Sequence, residues 1–445
     1  MPGTLSLKTA LALGIGLSAL AAQPAFAQDA PAPTAATPPG PATHPPPPPG
    51  TAQPAPTQPQ AAPTPPGTAN APGAPAPAPA AAPVNYNLQY NGLLDGYYLF
   101  NFRNPKNISA GGGPTYYDFR HNSPALSLGE LNVFKTAKPS GFGFKATLAV
   151  GDTAEINAFA APGQSVTTGE GRYKNVAQLY GTYALGGDGA GIDFGKFYTP
   201  FGYEVTESNG NYNYSRSTAY NYVPFYHAGA RIYTPVPGLA ALTATFYLVN
   251  AVFNTATAGV QDDNRKPAYI GQLNYTDPKG KFTLISELGL GKDKYFSSYA
   301  APGGPDTKVV LNDNNFTYNL NANQIFGIDY VYRKLTPDGG PKDTTNAYAV
   351  YYRQALTPKT AFALRFSGAN DKVDSFAGVN SFTAKPYDIT GTYELKTAPN
   401  FLTRVEYRHD HTNVENSFYS GNDDTVSGPS KKDQDTLSLS GVFTF

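Results

Sequence analysis

The chain ends on a segment in which apolar and small polar residues alternate. Between Thr436 and Phe445, one side of an extended strand carries the apolar residues and the other side the polar ones: Leu437, Leu439, Phe443 and Phe445 against Ser438, Ser440 and Thr444. A strand of this length, with one apolar face and one polar face, can cross a bilayer with its apolar face toward lipid. The pattern therefore predicts a membrane-spanning β-strand at residues 436–445.

The same pattern repeats from Leu88 onward. Alternating segments of about ten residues are separated by connections that are alternately short and long, as in bacterial membrane barrels. Clear examples of strands are Lys281–Leu290 and Ala361–Phe366. Most of the short connections are rich in Pro, Gly and Asn, which favour chain reversal; they lie at 138–141, 186–191, 234–238, 277–280, 357–360 and 397–400. We predict an all-β fold, a transmembrane antiparallel up-and-down β-barrel.

The number of strands follows from parity. A direct count gives about fifteen, whereas single-chain bacterial barrels have an even number because both chain ends lie on the periplasmic side. The segment 357–360 is a short periplasmic turn only if two strands lie between Lys292 and Asn346. We therefore predict a descending strand at 309–320, a turn at 321–324 and a rising strand at 325–334. The result is about sixteen strands, with fourteen and eighteen as alternatives.

Alternation also assigns the charged residues to the inner face of the barrel. On the strand at 325–334, the aromatic and aliphatic residues alternate with Asp329 and Arg333, and the strand at 401–408 shows the same order. A lysine or arginine on the lipid side near the membrane centre costs about 2–4 kcal/mol, a cost that a water-filled interior removes. The candidate residues facing the channel are Asp329, Arg333, Arg353, Arg365, Glu394, Arg404, Glu406 and Arg408. A polar interior of both signs is typical of an aqueous channel.

The N-terminal part of the chain has a different organisation. Residues 1–27 have a basic Lys8, a short apolar run and a small-residue cleavage pattern at 25–27, which together predict a signal peptide. Residues 28–83 consist almost entirely of Ala, Pro, Thr, Gln and Gly, a composition that predicts a disordered periplasmic tether. The barrel is predicted at 84–445. Whether the tether contacts peptidoglycan or is a plain spacer stays open.

Composition agrees with an exported membrane barrel. Charged residues make up 14% of the chain, against about 25% in soluble domains. Lys+Arg and Asp+Glu are both 32, so charge offers no reason to expect a nucleic-acid partner. Cys is absent, which excludes disulfides and thiolate chemistry. No cofactor is predicted.

The longest aromatic and polar segment follows Lys196. By parity it lies on the outer side, and its many tyrosines and phenylalanines argue against disorder. A loop folded into the barrel would set the channel width, and 197–224 is therefore the candidate constriction. Its charged residues, Glu204, Glu207 and Arg216, are the candidates for setting ion selectivity. An outer-surface loop packed on its neighbours is the alternative.

This segment also carries a family resemblance. The stretches 195–204, 213–217 and 224–231, together with Leu94–Tyr98, resemble the OmpL-like β-barrel porin family over roughly 88–445. The resemblance implies passive diffusion of small solutes across the bacterial outer membrane, and no catalytic or ligand residues are carried over from it. By similarity to other outer-membrane barrels, Phe445 is the expected signal for the barrel assembly machinery.

Enzymatic and metal chemistry have weak support in the sequence. His409 and His411 share a strand face, but no third ligand is evident, so we predict a solvated strand end and no metal site. His227 near Ser215 or Ser217 is the one arrangement that a barrel hydrolase could use, and no catalytic residue is assigned.

The leading hypothesis is thus an outer-membrane porin for small hydrophilic solutes. Its expected partners are outer-membrane lipid, the assembly machinery and the solutes themselves. A structural anchor or adhesin barrel is the alternative, and a barrel hydrolase is the third hypothesis. The sequence leaves the oligomeric state open.

Overall fold

A computed structural model describes residues 87–105, 116–157, 175–186, 189–253, 265–294, 306–374, 380–414 and 431–445. The predicted signal peptide and tether, 1–27 and 28–83, lie outside these residues. Within the described ranges, no helix has the length and apolarity needed to cross a membrane.

The described residues form one antiparallel sheet that closes on itself. Each strand pairs with its neighbours in chain order, and β17 pairs with β1, with Thr444 opposite Leu93. The strands are β1 Gln89–Asn101, β2 Pro124–Lys135, β3 Phe142–Val150, β4 Val176–Ala184, β5 Gly191–Tyr198, β6 Tyr226–Val236, β7 Leu239–Val249, β8 Ala268–Thr276, β9 Phe282–Lys294, β10 Asp306–Asn321, β11 Gln324–Pro337, β12 Asp343–Thr357, β13 Thr360–Val373, β14 Phe382–Ala384, β15 Tyr387–Ala398, β16 Phe401–His411 and β17 Asp433–Thr444.

The barrel has sixteen positions for these strands. The three-residue β14 and the longer β15 both pair with β13, so they occupy one position in succession. The predicted all-β antiparallel barrel of sixteen strands is therefore confirmed. The strand pair inferred from parity is present as β10 and β11, which meet at the turn 321–324.

The two faces of the wall follow the alternation in the sequence. On β17 the apolar residues Leu437, Leu439 and Phe443 are exposed on the outer face, whereas Ser438 and Ser440 are buried inside. An exposed apolar band outside and a polar interior are the arrangement that suits a barrel embedded in lipid.

The short elements of the described residues lie between strands. Helix α1, Asp152–Asn157, follows β3. Two 3₁₀ turns, Ser208–Gly210 and Ala219–Tyr222, belong to the connection between β5 and β6. That connection occupies the interior.

Candidate functional site

The connection between β5 and β6, residues 199–225, lies inside the barrel; we call it the inner loop. Its base is closed by the Thr199 amide, which donates to the Phe225 carbonyl at 3.1 Å. Phe201, Ser217 and Val223 have no exposed surface. A loop on the outside of the barrel would leave such residues accessible, so the inner loop is part of the core.

The inner loop crosses from β5 and β6 to strands on other sides of the wall. Asn213 Nδ2 donates to Thr392 Oγ1 on β15 at 2.7 Å, and the Thr218 amide donates to Ser367 Oγ on β13 at 2.7 Å. The Gly202 amide donates to the Asp313 carboxylate on β10. The Gly202 and Thr218 backbone amides, which would otherwise be buried without partners, are thereby satisfied.

Glycines in the wall make room for the aromatic side chains of the inner loop. A methyl group at Gly289 would lie 2.9 Å from Phe201 Cζ, and one at Gly327 would collide with the Tyr203 hydroxyl. The Tyr203 ring stacks on Tyr351, with ring centroids 4.6 Å apart. The inner loop therefore fits against the wall because the glycines at these two positions leave space for its aromatic rings. We call this part of the wall the seat of the inner loop.

Three wall arginines fasten the inner loop to β13 and β16; with their acidic partners they form what we call the arginine side. Arg365 binds Asp388 Oδ1 and Glu204 Oε1, each at 3.0 Å. Arg404 donates to the Ser208 and Asn211 carbonyls at 2.7 and 2.6 Å. The remaining contacts are those of Arg408 with Asp410 and the Arg216 carbonyl, of Arg404 with Glu394, and of Glu406 with the Tyr214 and Ser215 amides.

The arginine side differs in one respect from the sequence-based expectation. Arg365, Arg404, Glu406 and Arg408 point inward, as alternation requires, but at most 2% of each residue is exposed. Their charges are not in a water-filled channel, because the inner loop covers them. Burial is tolerated because each charge has a charged partner or backbone groups to bind.

The other inward-facing candidates lie elsewhere on the wall. Arg333 binds Asp343 at 3.0 Å and lies over the Tyr222 ring. Arg353 binds Glu394 at 2.7 Å and is partly exposed. Both Arg353 and Glu394 line a cavity of about 390 Å³ beside the turn 357–360. Asp329 is buried on β11.

The three constriction candidates do not come together. Glu204 is buried and accepts a hydrogen bond from the Ser217 amide at 2.7 Å, in addition to its pairing with Arg365. Arg216 is buried, donates to the Val205 carbonyl at 2.9 Å and lies over the Tyr117 ring. Of the three, Glu207 is the one that lines an open cavity. Glu204 and Arg216 instead bind other residues of the inner loop and hold its conformation.

That cavity, of about 780 Å³, lies between the tip of the inner loop and strands β1–β5; we call it the open cavity. Glu207, Asn209 and Gly210 form its loop side. Its wall residues adjoin the turn after β2 and the end of β17, which places it toward the end of the barrel with the short turns. The polar wall residues include Asn91, Glu130, Asn132, Lys145, Gln178 and Thr182.

Glu130 is the central acidic group of the open cavity, and the sequence reasoning missed it. It accepts hydrogen bonds from Asn132 Nδ2 at 2.7 Å and from the Tyr198 hydroxyl at 3.4 Å. Lys145 lines the cavity from β3. Alternation within β2 places Glu130 and Asn132 on the inner face, so the signal was present in the sequence.

His227 does not form a hydrolytic pair with Ser215 or Ser217. His227 Nδ1 lies 3.0 Å from the Ala251 carbonyl and Nε2 lies 2.8 Å from Thr199 Oγ1. Ser215 Oγ instead binds Arg365, and Ser217 Oγ accepts from the Tyr220 amide. Both ring nitrogens of His227 are thus engaged away from the two serines.

A closed barrel with an apolar outer band, an internal loop and a cavity lined in part by charged and amide side chains is typical of outer-membrane channel proteins. Residues 87–445 match the family described as "Putative beta-barrel porin-2, OmpL-like", and the chain belongs to that family. No curated relative matches the sequence.

Solved structures of bacterial barrels share the fold. OmpT of Vibrio cholerae has a TM-score of 0.51 at 12% identity, covering 80% of this chain and 97% of that one. The outer-membrane channel DcaP of Acinetobacter baumannii has a TM-score of 0.53 at 12% identity, with coverages of 80% and 97%. An anion-selective porin from Comamonas acidovorans has a TM-score of 0.50 at 12% identity, with coverages of 81% and 99%. Family and fold together support a porin-type channel in the bacterial outer membrane.

Proposed function

We propose that small hydrophilic solutes diffuse passively through this barrel along the open cavity. The observation that carries the proposal is the cavity itself, a space of about 780 Å³ beside the inner loop that is lined by both polar and apolar side chains. The solutes meet amide, hydroxyl and charged side chains of both signs, which replace part of their hydration.

The inner loop sets the width of this path. Glu207 approaches from the loop, and Glu130 and Lys145 approach from β2 and β3. Charges that face each other across a narrow passage bias the ions that cross it. In this proposal Glu207 keeps the constriction role expected from the sequence, and Glu130 and Lys145 join it in place of Glu204 and Arg216.

The absence of natural cysteines allows a direct test. The variant Asn132→Cys places a thiol in the open cavity, and Ala349→Cys places one on the part of the inner face that lies buried against the inner loop. A charged methanethiosulfonate reagent should lower the planar-bilayer conductance of the first variant in steps and leave the second unchanged. A folded, inserted protein that is silent in both forms would contradict the porin proposal and favour an anchor or adhesin.

A second part of the proposal concerns export and assembly. We propose that residues 1–27 direct export, that Phe445 is read by the barrel assembly machinery, and that 28–83 is a periplasmic tether. In the folded barrel the Phe445 ring packs beside Gly92, where a methyl group would collide with it. Phe445→Ala should reduce the amount of inserted barrel far more than the conductance of each inserted barrel. If Phe445→Ala inserts as well as the unmodified protein, Phe445 is ordinary lipid-facing surface.

The tether is tested by deleting residues 28–83. If attachment to the cell envelope is unchanged, the alternative in which the tether binds the cell wall is removed.

A further inference from the structure

A second group of buried charges lies on β8–β11, and it has no basic partner there. Glu287, Asp313 and Asp329 are each at most 2% exposed. The strand register places Glu287 directly opposite Asp313, and Asn315 directly opposite Asp329. Directly opposed side chains in a sheet have Cβ atoms about 4.5–5.5 Å apart, so these groups are neighbours. We call Asn274, Glu287, Asp313, Asn315 and Asp329 the acidic patch.

The acidic patch contains side-chain oxygens that have no hydrogen-bond partner. They are Asn274 Oδ1, Glu287 Oε2, Asp313 Oδ1, Asn315 Oδ1 and Asp329 Oδ1. Among the residues that the structure describes, no lysine or arginine forms an ion pair with the three carboxylates. Gln272 binds the other oxygen of Glu287 at 3.0 Å, and the Gly202 amide binds the other oxygen of Asp313.

This combination calls for a positively charged occupant. Burying an unpaired carboxylate is strongly unfavourable, and adjacent carboxylates in a dry site cannot all stay ionised alone. Asn315 Nδ2 is the one donor in the acidic patch that also has no hydrogen-bond partner, so the five unpartnered oxygens outnumber it. This excess of acceptors is matched by a cation that takes oxygen ligands. Carboxylate and amide oxygens are the ligands that Ca²⁺ prefers, in a flexible geometry of six to eight oxygens.

The ligand set is mixed. In the described residues, no three Asp, Glu, His or Cys side chains are arranged to hold a metal ion together. A site here therefore combines two carboxylates with amide oxygens. Asp313 and Asp329 lie on neighbouring strands, Asn315 lies directly opposite Asp329 and two residues from Asp313 on β10, and Glu287 adds negative charge from β9.

We propose that the acidic patch binds one divalent cation of calcium type through Asp313, Asp329 and Asn315. Because Asp313 also binds the Gly202 amide, the cation would help to hold the first turn of the inner loop against β10. This is a structural ion, separate from solute passage through the open cavity.

Metal content of the full-length protein tests the proposal. The barrel, purified in detergent with Ca²⁺ and then dialysed at neutral pH, should retain about one calcium per chain by mass spectrometry of the metals. Asp329→Asn, which keeps the shape of the side chain, should weaken Ca²⁺ binding by at least about tenfold in equilibrium titrations. Asp435→Asn is the matched control, since that carboxylate is on the partly exposed side of β17 and binds His409.

The outcomes are distinguishable even if a variant folds poorly. Folding is checked by the heat-dependent mobility of the barrel in gel electrophoresis, and the calcium content of the unmodified protein needs no variant. Absence of retained and titratable Ca²⁺ in the unmodified protein would overturn the proposal and assign the patch to shared protons. Binding that Asp329→Asn and Asp435→Asn change equally would overturn the location.

Discussion

The arginine side and the acidic patch hold the same inner loop by different means. On the arginine side, Arg365 and Asp388 are both buried, and each finds a charged partner within the chain. In the acidic patch, Asp313 and Asp329 are equally buried, but their free oxygens face no cation of the described chain. The contrast is between buried charges that pair within the chain and buried carboxylates for which we propose a bound cation.

The largest effect is expected from breaking the arginine side. Arg365→Met leaves Asp388 and Glu204 buried without their main partner, and removal of one member of a buried pair costs about 3–5 kcal/mol. The free energy of unfolding in urea, measured in lipid vesicles, should fall by that amount. The control is Arg353→Met, which removes a partly exposed pair with Glu394 and should cost at most about 1 kcal/mol. Equal losses in the two variants would show that the buried pairing has no special weight.

A pH titration sharpens the comparison, because Asp118 lies near the arginine side outside the strands. Burial raises the pKa of Asp118 from 3.8 to about 6, although Arg408 favours its charged form. A raised pKa means that the folded state gains stability as pH falls from about 6 to about 4 and loses it as pH rises. Titration of this group changes the free energy of unfolding by about 3 kcal/mol across this pH range.

Asp118→Asn should therefore flatten the pH dependence of the unfolding free energy between pH 4 and 6, relative to the unmodified barrel. The Asp435→Asn variant is the control, because it removes a carboxylate at a different, partly exposed position. An unchanged slope in Asp118→Asn would mean that Asp118 is solvated.

The seat of the inner loop gives the next effect. Gly327→Ala introduces a methyl group into the space of the Tyr203 hydroxyl, and overpacking of this kind costs about 1–3 kcal/mol. Adding Tyr203→Phe removes the hydroxyl and should restore part of the loss in a double-mutant cycle. Gly271→Ala is the control, since a methyl group there meets no atom within 4 Å. Additive losses would contradict direct contact between the two positions.

The smallest effect concerns charge in the open cavity. Glu207→Gln should change the unfolding free energy by no more than about 0.5 kcal/mol, because Glu207 is partly exposed. It should shift the reversal potential in a salt gradient toward anions, since one negative charge is lost beside the path. Asp435→Asn, outside the cavity, should leave the reversal potential unchanged. If the unmodified protein, Glu207→Gln and Asp435→Asn all have the same reversal potential, the ion path does not pass Glu207.

The wall of the barrel was predictable because alternation carries its information locally. Parity located β10 and β11, and the period of two set the inward direction of Arg404 and Arg408. Partners across the interior were not predictable, because alternation states only that a side chain points inward. The bonds of Arg404 to the Ser208 and Asn211 carbonyls join residues far apart in the chain. When these bonds are unknown, inward-facing arginines in the sequence are indistinguishable from residues that line a water-filled channel.

The inner loop also has a mechanical consequence. It is rooted between β5 and β6 and is bonded to β13, β15 and β16, so it acts as an internal brace across a thin-walled tube. Flattening the tube would change the separation of these strands and stretch the bonds that the brace makes. We therefore expect the inner loop to resist changes in the cross-section of the barrel, including those that compression of the surrounding bilayer would impose.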